Sequence, residues 1–337
     1  MNLSKKLLYP IIFFSVIIVA YSINAKVIQH RSIKAQIFSD VLKLMDGNKN
    51  GPSQFSNLEI AQEFMNEKVA GSEIRYSLMK DDTDKSFIKD SFGETDVYRF
   101  FTKKTTKKKL IYIHGGGFVN EIMNEHIDFA LNIGEAIDAE VIIPISPLTP
   151  YTNAKQVHHE MMMMYKKLSE TWTDEKIILM GESSGGGFAL SLAQQIKINN
   201  LYPTNQLVLI SPWVDISMDN PLITEELETR DHMLDAKALA LLGEYWKGDF
   251  DVKNSIVSPT YGDLNQLGHF TIITGTEEVL LPDIKDLVAK LEKQNISYKY
   301  YEYENMMHAF PLFGMPESLN AMDIIINSLE NIDSIED

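Results

Sequence analysis

Five short apolar runs, at residues 110–113, 141–145, 177–180, 207–210 and 270–274, alternate with segments of helical patterning near 125–137, 154–170, 184–199, 284–294 and 317–331. An aromatic-rich run at 298–303 reads as a late strand. Strands that lack polar alternation are buried on both faces, and their regular exchange with helices requires a mostly parallel sheet covered on both sides. The pattern predicts one α/β domain over residues 97–337. Two stretches, 26–96 and 218–262, break the alternation and read as helical additions. The first is expected to be an N-terminal cap or lid segment, and the second to contribute to the same cap.

Composition removes several function classes. Asp and Glu number 47 against 31 Lys and Arg, a formal charge of −16. That balance works against docking on nucleic acid or on an anionic lipid surface, and no nucleic-acid partner is expected. The chain has no cysteine, which rules out disulfides, thiolate zinc sites, iron–sulfur clusters and a cysteine nucleophile.

Lys5 and Lys6 precede an uncharged, apolar stretch over residues 7–23. As a helix rising about 1.5 Å per residue it would reach roughly 25 Å, close to the hydrocarbon thickness of a bilayer. A core helix would carry polar positions along one face. Residues 1–25 are therefore expected to form a membrane-directed helix, either an uncleaved signal anchor or a cleaved signal peptide with small residues at Ala20 and Ser22. Basic residues on both sides of the run leave the topology open by the positive-inside count. The absence of cysteine points to an extracytoplasmic body, membrane-anchored or secreted. Nothing in the sequence sets the oligomeric state.

Gly181-Glu182-Ser183-Ser184-Gly185 follows the apolar run 177–180 and opens a run of small residues. A serine in that position is raised on a tight strand-to-helix turn, and glycines two before and two after it relieve the crowding. The following helix aims its free N–H groups at the site. A phosphate-binding loop shares the glycine spacing, but Gly187 and Phe188 stand where Lys and Ser or Thr should be. His114-Gly115-Gly116-Gly117-Phe118 follows the strand at 110–113, and its successive glycines let backbone N–H groups turn into a cavity, as an oxyanion hole requires.

With Ser211-Pro212-Trp213-Val214-Asp215, the run from Gly275 to Asp283, and Met307-His308-Ala309-Phe310, these blocks resemble the hormone-sensitive-lipase-like branch of the α/β-hydrolase carboxylesterases and lipases, the bacterial family IV esterases. The resemblance runs from about Thr95 onward. It implies an α/β-hydrolase fold with a helical cap and a nucleophile at Ser183. It places oxyanion donors at the amides of Gly115, Gly116 and Ser184, and the base at His308, which an aromatic residue follows at +2. For the triad acid, the register of Gly275, Glu278, Leu280 and Asp283 makes Glu278 the match, with Glu277 and Asp283 as alternatives. Asp215 matches a structural position. The other histidines carry no motif and read as surface or structural residues, with His114 as an organiser of the glycine loop. Phe118, Phe188 and Trp213 are candidates for the substrate pocket. Residues 146–150 depart from the family's Y-x-L-x-P stretch, as do Glu182 and Ser184 from the more usual aspartate and alanine.

The implied chemistry is acyl transfer on a small-molecule ester, short- to medium-chain esters first, with no metal and no cofactor. The same triad could cleave an amide or deacetylate a sugar. A membrane-tethered binding protein on a non-catalytic hydrolase fold would have lost the serine, the histidine or the oxyanion glycines, and all are present.

Overall fold

The computed structural model describes residues 15, 17–46, 53–72, 85–101 and 106–330. Its centre is an eight-stranded sheet of order β1-β2-β4-β3-β5-β6-β7-β8. The strands are β1 (Phe87–Phe92), β2 (Thr95–Phe100), β3 (Lys108–Ile113), β4 (Ala139–Ile145), β5 (Lys176–Glu182), β6 (Gln206–Ile210), β7 (His269–Gly275) and β8 (Tyr298–Tyr303). Strand β2 pairs antiparallel with β1 on one side and β4 on the other, and all other pairs are parallel. The apolar runs are buried as expected, and β4 and β7 are buried at every position.

The helices are α1 (Ile33–Asp46), α2 (Leu58–Ala70), α3 (Asn124–Ala136), α4 (Ala154–Ser169), α5 (Ser184–Ile198), α6 (Glu225–Arg230), α7 (Ala236–Lys247), α8 (Leu281–Lys293) and α9 (Pro316–Glu330). Alternate strand residues feed two cores, as the two-residue period of a strand dictates. Ile111, Leu179, Leu209 and Ile272 pack with residues of α4, α5 and α8. Leu110, Met180, Val208 and Ile273 face the other way and pack with α3 and α9.

Residues 26–96 were expected to be helical, but β1 and the start of β2 belong to the sheet. The reason is local: β1 is an edge strand whose residues are all half-buried or exposed, so Lys89, Asp90 and Ser91 break the apolar run that marks the inner strands. Its anchor is Phe87, whose ring lies 5.3 Å from Tyr98 and 5.6 Å from Phe100. The helical reading holds for α1 and α2, and for residues 218–262 through α6 and α7. Helix α2 packs on α7, so the two irregular stretches meet above the C-terminal ends of the parallel strands.

Ahead of α1, Asn24–Ile28 form a π-helical turn. Residues 1–14 and 16, which include much of the apolar run at 7–23, lie outside the described residues. Among the described residues no helix is long and apolar enough to cross a membrane.

Candidate active site

Ser183 sits between β5 and α5 with φ 55° and ψ −126°, a backbone conformation that costs a non-glycine residue strain. Its surroundings hold it there. The Ser183 amide donates to the Ile210 carbonyl (2.9 Å), and its carbonyl accepts from the amides of Trp213 (2.8 Å) and Gly187 (3.1 Å). The flanking glycines are required by contact. A Cβ on Gly181 would lie 2.4 Å from the Gly185 carbonyl oxygen, and one on Gly185 would lie 2.1 Å from that of Ile113.

His308 follows β8, and its Nδ1 lies 2.7 Å from Glu278 Oε2. Glu278 is fully buried just beyond β7. Its Oε1 accepts from Ser211 Oγ (2.9 Å), from the Gly275 amide (2.8 Å) and from Thr274 Oγ1. These donors satisfy an oxygen that burial cuts off from water. Burial by itself would lower the His308 imidazole. The hydrogen bond and charge of Glu278, with the fields of Asp231 and Glu182, outweigh burial and raise its pKa above the ordinary histidine value. The two alternative acids lie elsewhere: Glu277 pairs with Arg31 at 3.3 Å, and Asp283 accepts from Asn220 Nδ2 at 2.8 Å. Asp215 holds loop 215–261, accepting from Ser217 N, Ser258 Oγ and Tyr261 Oη.

The glycine loop corrects one expectation. The Gly115 amide donates to the Glu182 carboxylate, so it is not available as an oxyanion donor. Gly116 and Gly117 instead line the cavity beside Ser183, both at positive φ (108° and 60°). Glu182 is buried, and desolvation lifts its pKa to about 7 against the opposing Gly115 hydrogen bond and His308 charge. His126 Nε2 stands 3.3 Å from it. Burial and the neighbouring His114 push His126 down to about 3, so that ring is neutral and cannot neutralise Glu182 as an ion pair. His114, lowered to about 4 by burial, places Nδ1 2.7 Å from the Gly115 carbonyl and organises the loop.

Ser183 and His308 line one cavity of about 270 Å³. Its walls are mainly apolar, including Leu42 and Met45 of α1, Phe55, Leu239 of α7, and Leu312. Phe118, Phe188 and Trp213 do not line it. Phe118 stacks on Trp246 (3.9 Å between ring centroids) and lies 5.9 Å from Trp213, while Phe188 stacks on His158 at 4.3 Å. These aromatics form the packed wall behind the loop, and Phe118 and Phe188 border a separate cavity of about 50 Å³.

Two residues at the site went unrecognised in the sequence. His232 lines the cavity. Asp231 is buried, accepts from the Val279 amide (2.8 Å) and both the Met233 and Leu234 amides (2.9 Å), and is raised by burial to about 6. They stand between α6 and α7, in a stretch with no periodicity to read. Among the described residues no group of His, Asp and Glu is placed to hold a metal ion.

Residues 110–312 match the model of the alpha/beta hydrolase fold family. The chain belongs to that family. This alpha/beta hydrolase is 25% identical over 220 residues to an acetyl-hydrolase of Streptomyces hygroscopicus, spanning 64% of this chain and 73% of that protein. It is 26% identical over 230 residues to an esterase of Acinetobacter venetianus, spanning 66% and 75%. Its fold is similar to that of a hormone-sensitive lipase from a metagenome library, with a TM-score of 0.71 and 23% identity over 87% of this chain and 97% of that one. An esterase of the bacterial hormone-sensitive lipase family gives a TM-score of 0.71 at 19% identity, again over 87% and 97%.

Proposed function

We propose that this alpha/beta hydrolase cleaves carboxylic esters by acyl transfer through Ser183. The protein is a serine-type carboxylic ester hydrolase. One observation carries the assignment of roles: a strained serine at a strand-to-helix elbow shares a cavity with a histidine whose other ring nitrogen is held by a buried carboxylate. His308 takes the Ser183 proton as Oγ attacks the ester carbonyl. Glu278 fixes the tautomer and stabilises the imidazolium. The amides of Gly116, Gly117 and Ser184 hold the tetrahedral oxyanion, Ser184 from the first turn of α5. The alcohol leaves with the His308 proton, and water repeats the sequence on the acyl-enzyme.

A cavity of about 270 Å³ with apolar walls suits short- to medium-chain acyl groups. Similarity to an acetyl-hydrolase puts acetyl esters, acetylated sugars included, at the head of the series to assay. Helices α1 and α7 supply walls on the side away from the sheet, with α2 packed on α7, and together they act as the cap that sets access. Residues 1–25 address the chain to a membrane, with the catalytic body on the extracytoplasmic side.

The test is turnover of p-nitrophenyl esters from acetate to decanoate by the 337-residue chain in detergent, beside Ser183→Ala. Turnover that peaks at short acyl chains and disappears with Ser183 is expected. A folded protein inert on every ester overturns the reading.

A further inference from the structure

Helix α1 buries Ala35, Gln36 and Ser39 against the body. It turns Ile37 (51% exposed), Val41 (47%), Leu44 (83%) and Met45 (60%) outward. Spacings of four, three and one residues put these side chains on one stripe of the helix. Single exposed apolar residues such as Ile198 and Leu222 are ordinary. Four in register on one helix form a patch that calls for a partner.

Charge and continuity select that partner. Although the chain carries −16 overall, the exposed charged side chains described on α1 are Lys34 and Lys43. Asp40 is engaged by Tyr21 Oη (2.5 Å) and Gln36 Nε2 (3.0 Å). Lys34, one turn before Ile37, lies on the stripe with its Nζ on the Gly314 carbonyl (2.6 Å), whereas Lys43 sits on the side of Gln36 and Ser39. An apolar stripe with a lysine stem lying along it is the pattern of a helix in a lipid interface. The Tyr21 bond also ties α1 to the apolar run at 7–23, whose Ile17, Ile18, Val19 and Ile23 are exposed, as are Val27 and Ile28 just beyond it. The border of the stripe reaches the chemistry, since Met45 at its edge and Leu42 beside it line the cavity that holds Ser183.

We propose that the outer face of α1 lies in the headgroup–acyl boundary of a phospholipid bilayer, so that the catalytic cavity opens at the lipid surface and takes esters from it. The delivery of substrate rests on the ester-hydrolase reading; the docking does not. Stripe and cavity wall share a helix, so membrane contact and access to Ser183 are one geometric arrangement.

Because the chain has no cysteine, single cysteines report position cleanly. Val41→Cys and Leu44→Cys in the 337-residue chain, with Ile198→Cys and Leu222→Cys as controls, are labelled with a fluorophore and mixed with phosphatidylcholine vesicles containing brominated acyl chains. Quenching at 41 and 44 but not at 198 and 222 is the expected result. Absence of quenching at 41 and 44, whether or not the protein floats with the vesicles, overturns the proposal. A disulfide joining two Leu44→Cys chains in its place gives the face to a second copy and equally overturns it. The Ile37→Gln, Val41→Gln, Leu44→Gln triple variant should keep turnover of soluble p-nitrophenyl acetate within about twofold and lose about tenfold or more on an ester dissolved in the bilayer, as expected for removing three membrane-inserted side chains. A wild-type protein inert on the soluble ester refutes the hydrolase reading, while quenching still decides the docking.

Discussion

The Gly115 amide donates to the carboxylate of Glu182, the residue immediately before Ser183. That contact crosses from the glycine loop to the nucleophile elbow and fixes the two relative to each other. A Cβ on Gly115 would lie 2.2 Å from Glu182 Oε2, so the approach depends on glycine. In the proposed mechanism the oxyanion donors are therefore Gly116 and Gly117, which line the cavity.

Glu182→Gln tests how that buried carboxyl couples to stability. A folded-state pKa of about 7 against an ordinary 4.5 means that the folded chain keeps its proton between those values while the unfolded chain releases it. The group's contribution is therefore greatest at or below pH 4.5 and declines as pH rises to 7, by about 3 kcal/mol in total at ~1.4 kcal/mol per unit. Glutamine does not titrate, so the variant should gain on wild type by about that much between pH 4.5 and 8 in urea unfolding. A stability difference that does not change with pH would sink the argument.

The roles within the site separate by mutation. Ser183→Ala should lose turnover on the order of 10⁶-fold with substrate affinity largely retained. Glu278→Gln should lose on the order of 10⁴-fold through the wrong histidine tautomer. Asp283→Asn, on a carboxyl bonded to Asn220, should stay near wild type. An inactive Asp283→Asn beside an active Glu278→Gln would reassign the acid.

With neutral His308 as the base of the proposed mechanism, kcat/KM should climb with pH through the His308 pKa, at a midpoint above 6.5, because that pKa is raised. Asp231 contributes to the elevation. Asp231→Asn should move the midpoint towards lower pH, read from kcat/KM for p-nitrophenyl butyrate across pH 5 to 9. A midpoint that does not move would remove Asp231 from the electrostatics of the base.

Gly185→Ala and Gly314→Ala separate contact from conformation. The first would push a Cβ to 2.1 Å from the Ile113 carbonyl oxygen and 2.5 Å from that of His114, backbone atoms that cannot step aside. Its expected cost exceeds about 4 kcal/mol, at which the protein fails to accumulate in the soluble, folded fraction. Gly314, at φ 63°, has open space around its Cβ position and should cost only ~1 kcal/mol. Thermal unfolding of both variants checks the contrast.

The inner strands and the elbow could be read from the sequence because burial on both faces leaves unbroken apolar runs and because the turn admits only glycine at two positions. The edge strand β1 could not, since one exposed face interleaves Lys89 and Asp90 with its phenylalanines. The pairing of His308 with Glu278 follows a register that survives in one chain. Which glycine amide faces the cavity does not, because it depends on the reach of the Glu182 side chain across the fold. Asp231 and His232 escaped notice for a similar reason: they lie on an irregular connection, where neither period nor spacing marks a residue as facing the serine. Phe118, Phe188 and Trp213 have pocket-like chemistry, but mutual stacking and burial keep them out of the wall around Ser183.

Arg31, just ahead of α1, is 6% exposed and donates to the Asn305 carbonyl (2.6 Å) while pairing with Glu277, the neighbour of Glu278. The segment before the cap is thereby stitched to the loop that carries the triad acid. Trimming that removes residues before position 24 spares this stitch, whereas a cut at position 30 takes away the Ala25 carbonyl bonded to the Arg31 amide and the Gln29 carbonyl bonded to Asn305 Nδ2. Loss of Arg31 would strand a largely buried Glu277 without its counter-charge, one residue from Glu278. On the proposed mechanism, the unit needed for turnover therefore includes Arg31, ahead of the cap, and not the sheet and its loops alone.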